Sequence, residues 1–267
     1  MAKAIWMSDL HFVGEGDVLG HDPRVRLTAA IDHINAYHRD AGFCIISGDM
    51  VNRGTVGDYR ALGVLLKRLD VPCLPMVGNH DDRALLRAQL GVPEGCMDDF
   101  VQYTVPTDAG LFICLDTQKA GADGGAFCAV RRAWLSKVLA GAGETPAYLF
   151  MHHPPRELGL PMQDTDRMEE GEDFLEFLGQ FSNVKYLFIG HVHRPISGTM
   201  AGIPFSTMRS VLYQAPAPRP DWDWDTFQPG EEAPNIGAIR VAGGDVTLQY
   251  LQVCPHGVGQ KRPASRT

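Results

Sequence analysis

Phe43-Cys44-Ile45-Ile46-Ser47-Gly48-Asp49 is an apolar run that stops on a glycine and a carboxylate. Such a run, bounded by a turn signal, reads as a strand buried on both faces, as inside a parallel sheet. The same grammar recurs along the chain. Ala4–Met7 leads into Ser8-Asp9-Leu10-His11, and Cys73–Val77 into Gly78-Asn79-His80-Asp81. Ala147–Met151 leads into His152-His153-Pro154-Pro155, and Tyr186–Ile189 into Gly190-His191-Val192-His193. Leu111–Leu115 is a further buried-strand pattern.

Helical patterns fill the intervals, which predicts an α/β fold. One helix starts at Asp22-Pro23 and places Leu27, Ile31, Ile34 and Tyr37 on one face. A second starts at Thr55 with Asp58 in the capping-box position and Leu62, Leu65, Leu66 and Leu69 as its apolar stripe. Ala129–Ala140 and Glu169–Gln180 are two more. The last part changes character. Prolines break a loop from Pro216 to Pro234, then Ile236–Val241 and Val246–Val253 form a hairpin turned at Gly243-Gly244-Asp245. The expected organisation is one domain over residues 1–215. Residues 216–267 then add a proline-rich loop and a hairpin completing the sheet, with a disordered tail after Pro255.

The 267 residues, 45% hydrophobic and 21% charged, are enough for a large core. A net charge of -8 argues against long nucleic acid as partner. No stretch approaches a membrane span or a signal peptide, so the expected location is the cytoplasm. The six cysteines are scattered, with no C-x-x-C pair, and most of them read as small buried hydrophobes.

The polar residues gather where the strands end, the place where open α/β sheets bind ligands. Six of the ten histidines fall in these segments. Imidazole with carboxylate suits iron, manganese, zinc or cobalt better than magnesium. The single residue between Asp9 and His11, and between His191 and His193, lets each pair point to one side of an extended segment. Asp9, His11, Asp49, Asn79, His152, His191 and His193 exceed the needs of one tetrahedral site, so two ions sharing a carboxylate is the economical reading. Alone, an Asp-x-His or a Gly-Asp usually marks a turn, and a His-x-His is as often a surface pair; the ordered set of five is what carries the signal.

That set resembles the signature of the calcineurin-like metallophosphoesterases, over roughly residues 4–215, and within them the class III cyclic-nucleotide phosphodiesterases and related bacterial glycerophosphodiesterases. The resemblance implies a four-layer αββα sandwich, two mixed sheets flanked by helices, with two divalent transition metal ions at one edge. It puts one ion on Asp9, His11, Asp49 and His193, and the other on Asp49, Asn79, His152 and His191, with Asp49 bridging. It gives His80 the part of contacting the phosphate and protonating the leaving group, against a supporting hydrogen-bonding role for the same ring. His153 is assigned packing, and Asn52 either a contact to a metal-bound water or a loop cap. Relatives that cleave glycerophosphodiesters carry a histidine where this chain has Tyr213, which becomes a candidate substrate contact beside Asn79 and His80. The Asp17–Arg24 loop and the Arg156–Met168 segment are the other expected walls. Trp222 and Trp224 read as either a nucleobase platform or, by preference, pins for their acidic loop.

The activity implied is hydrolysis of small phosphodiesters, cyclic nucleotides first, by a metal-bound water or hydroxide. The competing readings are a phosphomonoesterase or nuclease of the same superfamily, and a catalytically silent scaffold. No arginine cluster among the motifs would clamp a monoester dianion. By analogy with relatives, self-association would use the region after Gln214.

Overall fold

The computed structural model describes residues 1–219 and 221–253; the tail after Pro255 expected to be disordered lies outside them. Two mixed sheets form the centre. The first has the order β11-β10-β1-β2-β3 and the second β4-β5-β6-β7-β9-β8. In the first, β1 (Ala2–Met7), β2 (Phe43–Ile46) and β3 (Cys73–Pro75) run parallel, and the hairpin of β10 (Asn235–Ala242) and β11 (Asp245–Gln252) lies antiparallel beside β1. In the second, β5 (Gly110–Cys114), β6 (Ala147–Met151), β7 (Val184–Ile189) and β9 (Ile203–Thr207) are parallel, edged by antiparallel β4 (Tyr103–Thr107) and β8 (Ser197–Met200).

The alternation of side chains explains why these strands are continuously apolar. Phe112, Tyr148, Phe150 and Phe188 belong to the core shared with the first sheet, while Ile113, Leu149, Leu187 and Ile189 belong to a second core under helices. Between the sheets, Phe150 stacks on Phe188 at 4.4 Å and Trp6 of the first sheet meets Phe188 edge-on at 5.3 Å. The Trp6 indole N–H donates to Ser47 Oγ at 2.8 Å, which satisfies its one polar atom. Helices α1 (Pro23–Tyr37) and α2 (Val56–Leu66) pack on the first sheet's core, and α4 (Ala129–Gly141) and α5 (Gly171–Leu178) on the second's, giving four layers.

Local signals account for most boundaries. Asp22 caps α1 by accepting from Arg24 N and Val25 N, with Pro23 at the first helical position. Tyr37 is not on the buried face of that helix; as its last residue it is 71% exposed, with its ring against His33. Thr55 Oγ1 accepts from Asp58 N at 3.1 Å, but the reciprocal half of the capping box is missing. Asp58 instead accepts from Gly14 N at 2.7 Å, tying α2 to the loop after β1. Helix α3 (Arg83–Leu90) was not expected from the sequence: it has only eight residues, although Leu86 is buried and Leu85 and Leu90 pack half-buried against the core. The C-terminal hairpin turns on Gly243 and Gly244, both at positive φ, as a two-residue turn requires.

Candidate metal centre

The loops that follow β1, β2, β3, β6 and β7 converge, and with them the predicted residues. Asp9, His11, Asp49 and His193 form one group whose candidate ligand atoms all lie within 4.8 Å of one another. All four are buried. Beside them, His152 Nε2 lies 3.2 Å from Asn79 Oδ1 and 3.4 Å from Asp49 Oδ2. The same Asp49 Oδ2 lies 3.4 Å from His11 Nε2. One carboxylate oxygen is therefore shared between the two halves of the site, as a bridging ligand would be.

The histidines are aimed from behind. His152 Nδ1 donates to Ser47 O at 2.8 Å, and His193 Nδ1 to Tyr213 O at 2.9 Å. His11 Nδ1 donates to Asn52 Oδ1 at 3.1 Å. Each anchor fixes the tautomer and turns the Nε2 lone pair into the site. Asn52 thus has a role not expected of it: its side-chain oxygen orients His11. His153, in contrast, has both ring nitrogens occupied. Nε2 donates to Asp123 O at 3.1 Å and Nδ1 accepts from the Thr117 hydroxyl at 2.8 Å, so the ring holds the Thr117–Asp123 loop.

The backbone is strained where the ligands sit. Among the described residues, five of the eight non-glycines at positive φ are Asp9, His11, Asp49, His191 and His193. The Asp-x-His and His-x-His pairs therefore do not point together because their segments are extended, as the spacing suggested. They do so from left-handed turns just past the strand ends. Glycine is required beside them: a Cβ on Gly78 would overlap Asp49 Oδ1 and lie 2.7 Å from His152 Nε2.

Do these residues fit a pair of divalent cations? Asp9 Oδ2 and His191 Nε2 are buried with no hydrogen-bond partner among the described residues, a costly state for a carboxylate and an imidazole unless a cation meets them. Protonation equilibria point the same way. Burial pushes His11 and His191 down to about 3, keeping them neutral donors. Burial also opposes charge on His152, yet the Asp49 and Asp9 carboxylates raise it to about 9, a measure of how strongly the pocket seeks positive charge. Burial works against ionised Asp49 too, but the neighbouring His152 and His80 hold its carboxyl well below the usual range. Nitrogen and carboxylate donors at these spacings fit ions bound at about 2.0–2.2 Å.

Asp81, present in the quoted motif but given no role by sequence reasoning, ties the two halves together. It is buried and accepts from Gly78 N at 2.9 Å, Met50 N at 3.1 Å, Val51 N at 3.3 Å and the Tyr59 hydroxyl at 2.8 Å. Burial and the nearby Asp49 raise its carboxyl to about 6 against those donors. Gln118 reinforces the same loop, its amide donating to Gly78 O at 2.8 Å and to Asp81 O.

A cleft of about 560 Å³ opens above the centre. His80 and Tyr213 line it, as does Leu19 of the Asp17–Arg24 loop and Thr165 and Asp166 of the Arg156–Met168 segment. Asp123 and Phe227 also line it and were not expected there; Trp224 lines it too, in keeping with the less favoured of its two readings. Tyr213 packs its ring 4.4 Å from His193 and 5.2 Å from His11, so it supports the metal-facing histidines as well as the cleft.

The fold and the paired nests of histidine and carboxylate define a class, and the chain belongs to it: residues 2–195 match the calcineurin-like phosphoesterase family. That family works with divalent metal ions. Over 217 residues the chain is 38% identical to a Rhodopseudomonas palustris protein named "probable cyclic nucleotide phosphodiesterase", covering 79% of each. It is 28% identical over 215 residues to a glycerophosphodiester phosphodiesterase of Enterobacter lignolyticus, covering 79% of this chain and 77% of the other. A dimetal phosphatase structure from Danio rerio superposes with a TM-score of 0.71 at 16% identity, over 94% of this chain and 96% of that one, and shares the fold.

Proposed function

We propose that this chain is a metal-dependent phosphodiesterase of small phosphodiesters, with cyclic nucleotides as the leading class. The observation that carries the reading is Asp49 Oδ2, 3.4 Å from both His11 Nε2 and His152 Nε2, between two sets of imidazoles. The names of the relatives, cyclic nucleotide and glycerophosphodiester phosphodiesterases, support it. In this reading Asp9, His11, Asp49 and His193 hold one ion, and Asp49, Asn79, His152 and His191 the other. The donor set favours iron, manganese, zinc or cobalt. Once bound, the pair supplies Lewis acidity and an acidified water as nucleophile.

The chain's own groups do the rest. Asn79 sits at the rim of the second set and orients the phosphate with His80. The His80 main-chain N–H donates to Asp49 Oδ1 at 3.0 Å, and its ring Nδ1 donates to Asn52 O at 3.0 Å. That leaves Nε2 for the cleft, where the protonated ring donates to the departing oxygen. No lysine or arginine is among the described residues lining the cleft, while Asp123 and Asp166 are. A singly charged diester suits such a lining better than a monoester dianion or a nucleic-acid strand.

Among the described residues no helix is long and apolar enough to cross a membrane. A cytoplasmic location is supported by the free thiols of Cys44, Cys73, Cys96, Cys114 and Cys128. Self-association is assigned to the region after Gln214, where β11 is the outer strand of its sheet.

The test is a matched pair of aryl substrates, diester and monoester, on metal-reconstituted protein. A higher kcat/KM for the diester is expected; preference for the monoester would overturn the assignment.

A further inference from the structure

The cleft carries a row of aromatic rings that leads away from the metal centre. Tyr213 lies 4.4 Å from His193, Phe227 6.2 Å from Tyr213, and Trp224 5.8 Å from Phe227, all ring centroid to ring centroid. Trp224 is 55% exposed, so an indole face remains open while the residue lines the cleft. An open indole face that continues a row of rings beside a phosphate site offers a π surface on which a ligand ring can lie.

The loop that presents these rings is held at its base and at its tip. Gly230 N donates to Gln214 O at 2.8 Å, closing the base. At the tip, Asp223 Oδ1 accepts from Thr226 N at 2.9 Å and from the Thr226 hydroxyl at 2.7 Å, fixing the turn that carries Trp224. Trp222 is engaged elsewhere. The Arg219 guanidinium lies 5.4 Å from its ring, and it does not line the cleft. The two tryptophans expected to act alike are thus divided: Trp222 meets Arg219 of its own loop, and Trp224 lines the cleft.

We infer that Tyr213, Phe227 and Trp224 form a stacking ledge for a planar aromatic substituent of the diester, a nucleobase or a ring of similar size, and so set substrate specificity. This rests on the phosphodiesterase reading above. Both faces of a base are π surfaces, so the ledge gains affinity without reading base identity. The remaining lining, Asp123, Thr165 and Asp166, offers acceptors to hydroxyl groups and repels a second phosphate. A mononucleotide-sized diester with one charge and one ring meets both demands.

The experiment compares adenosine 3′,5′-cyclic phosphate with glycerophosphoethanolamine, which has no ring, on the metal-loaded full chain. The kcat/KM ratio of ringed to ringless substrate should fall about tenfold or more in Trp224→Ala, and Trp224→Phe should restore most of it. Trp222→Ala should leave the ratio as it is. An unchanged ratio in Trp224→Ala, or an equal fall in Trp222→Ala, overturns the ledge. Binding of adenosine 3′,5′-cyclic phosphorothioate, titrated separately, reports on the ledge whether or not diesters are turned over. If Trp224→Ala weakens that binding about tenfold while neither diester is hydrolysed by the unaltered chain, the ledge stands and the activity assignment falls. If binding is unaffected, the ledge falls whatever the activity.

Discussion

His11 and His193 face each other through their Nε2 atoms at 3.0 Å. Both Nδ1 atoms already donate, to Asn52 Oδ1 and to Tyr213 O, so two lone pairs confront each other at hydrogen-bond distance with no proton to share. Such a pair is repulsive unless a cation lies against both nitrogens. Binding divalent ions should therefore stabilise the fold strongly. At a free metal concentration about a thousandfold above Kd, about 4 kcal/mol is expected per independent ion. Thermal unfolding with excess chelator and with added manganese or zinc measures this, and equal midpoints would contradict it.

Asn52 gives a second prediction, since its amide oxygen is what fixes the His11 tautomer. Asn52→Ala frees that ring to rotate, and loss of such a buttress costs about 10- to 100-fold in metal affinity. The first ion should weaken more than the second. Competition with a metallochromic chelator reads both constants; an unaltered affinity would make Asn52 a loop residue only.

Stoichiometry distinguishes the bridge from the terminal ligands. Asp49→Ala removes the one oxygen placed between His11 and His152, and both ions should be lost. Asn79 touches only the His152 side, so Asn79→Ala should keep the first ion and weaken the second. Elemental analysis after dialysis decides it. A chain saturating at one ion defeats the binuclear model.

The sequence exposed the strands whose two faces are both covered, because Phe43–Ile46, Ala147–Met151 and Tyr186–Ile189 leave no charged residue to confuse the period. It hid the edges. β8, Ser197–Met200, buries only Met200, and β4 holds Pro106, which an outer strand tolerates and a central one does not. The five motif segments could be read because ligand chemistry restricts residue type. The supports could not: Asn52, Gln118 and Asp81 act through side-chain amides and carboxylates common in any loop, and only three-dimensional closure shows which groups they meet. Trp224 was legible as an aromatic in an acidic loop, but its facing direction depends on the Asp223–Thr226 turn.

Asp81 should be the costliest of these supports to remove. Asp81→Ala strands the N–H groups of Gly78, Met50 and Val51 and the Tyr59 hydroxyl, and each unsatisfied buried donor costs about 1–3 kcal/mol. Allowing for relaxation, a loss of about 3–5 kcal/mol is expected in the metal-free chain, measured by urea unfolding in chelator. Asp81→Asn should lose less, since one acceptor oxygen remains. A change below about 1 kcal/mol in Asp81→Ala would mean that the two loops hold themselves together.

For His80, the expected effect depends on the leaving group. With a ribose alkoxide, which must be protonated as it departs, His80→Ala should lower kcat by roughly 10²–10⁴-fold. With 4-nitrophenolate the deficit should shrink to a small factor. Equal losses on both substrates would make His80 a positioning residue that holds the phosphate and the Asn52 carbonyl in place.

Tyr213 separates two functions of one residue. Its carbonyl orients His193 whatever the side chain, but its ring also packs against His193 and His11. Tyr213→Ala therefore opens a gap behind both imidazoles as well as in the cleft, and should weaken the first ion along with substrate binding. Tyr213→Phe keeps the ring, so metal affinity should remain within about twofold, and any change in preference among cyclic nucleotide, glycerophosphodiester and aryl diester is then due to the hydroxyl. Parallel metal titrations and kcat/KM for the three substrates resolve the two effects. If Tyr213→Ala binds both ions normally and lowers all three substrates by one common factor, the ring neither supports the ligands nor selects the substrate.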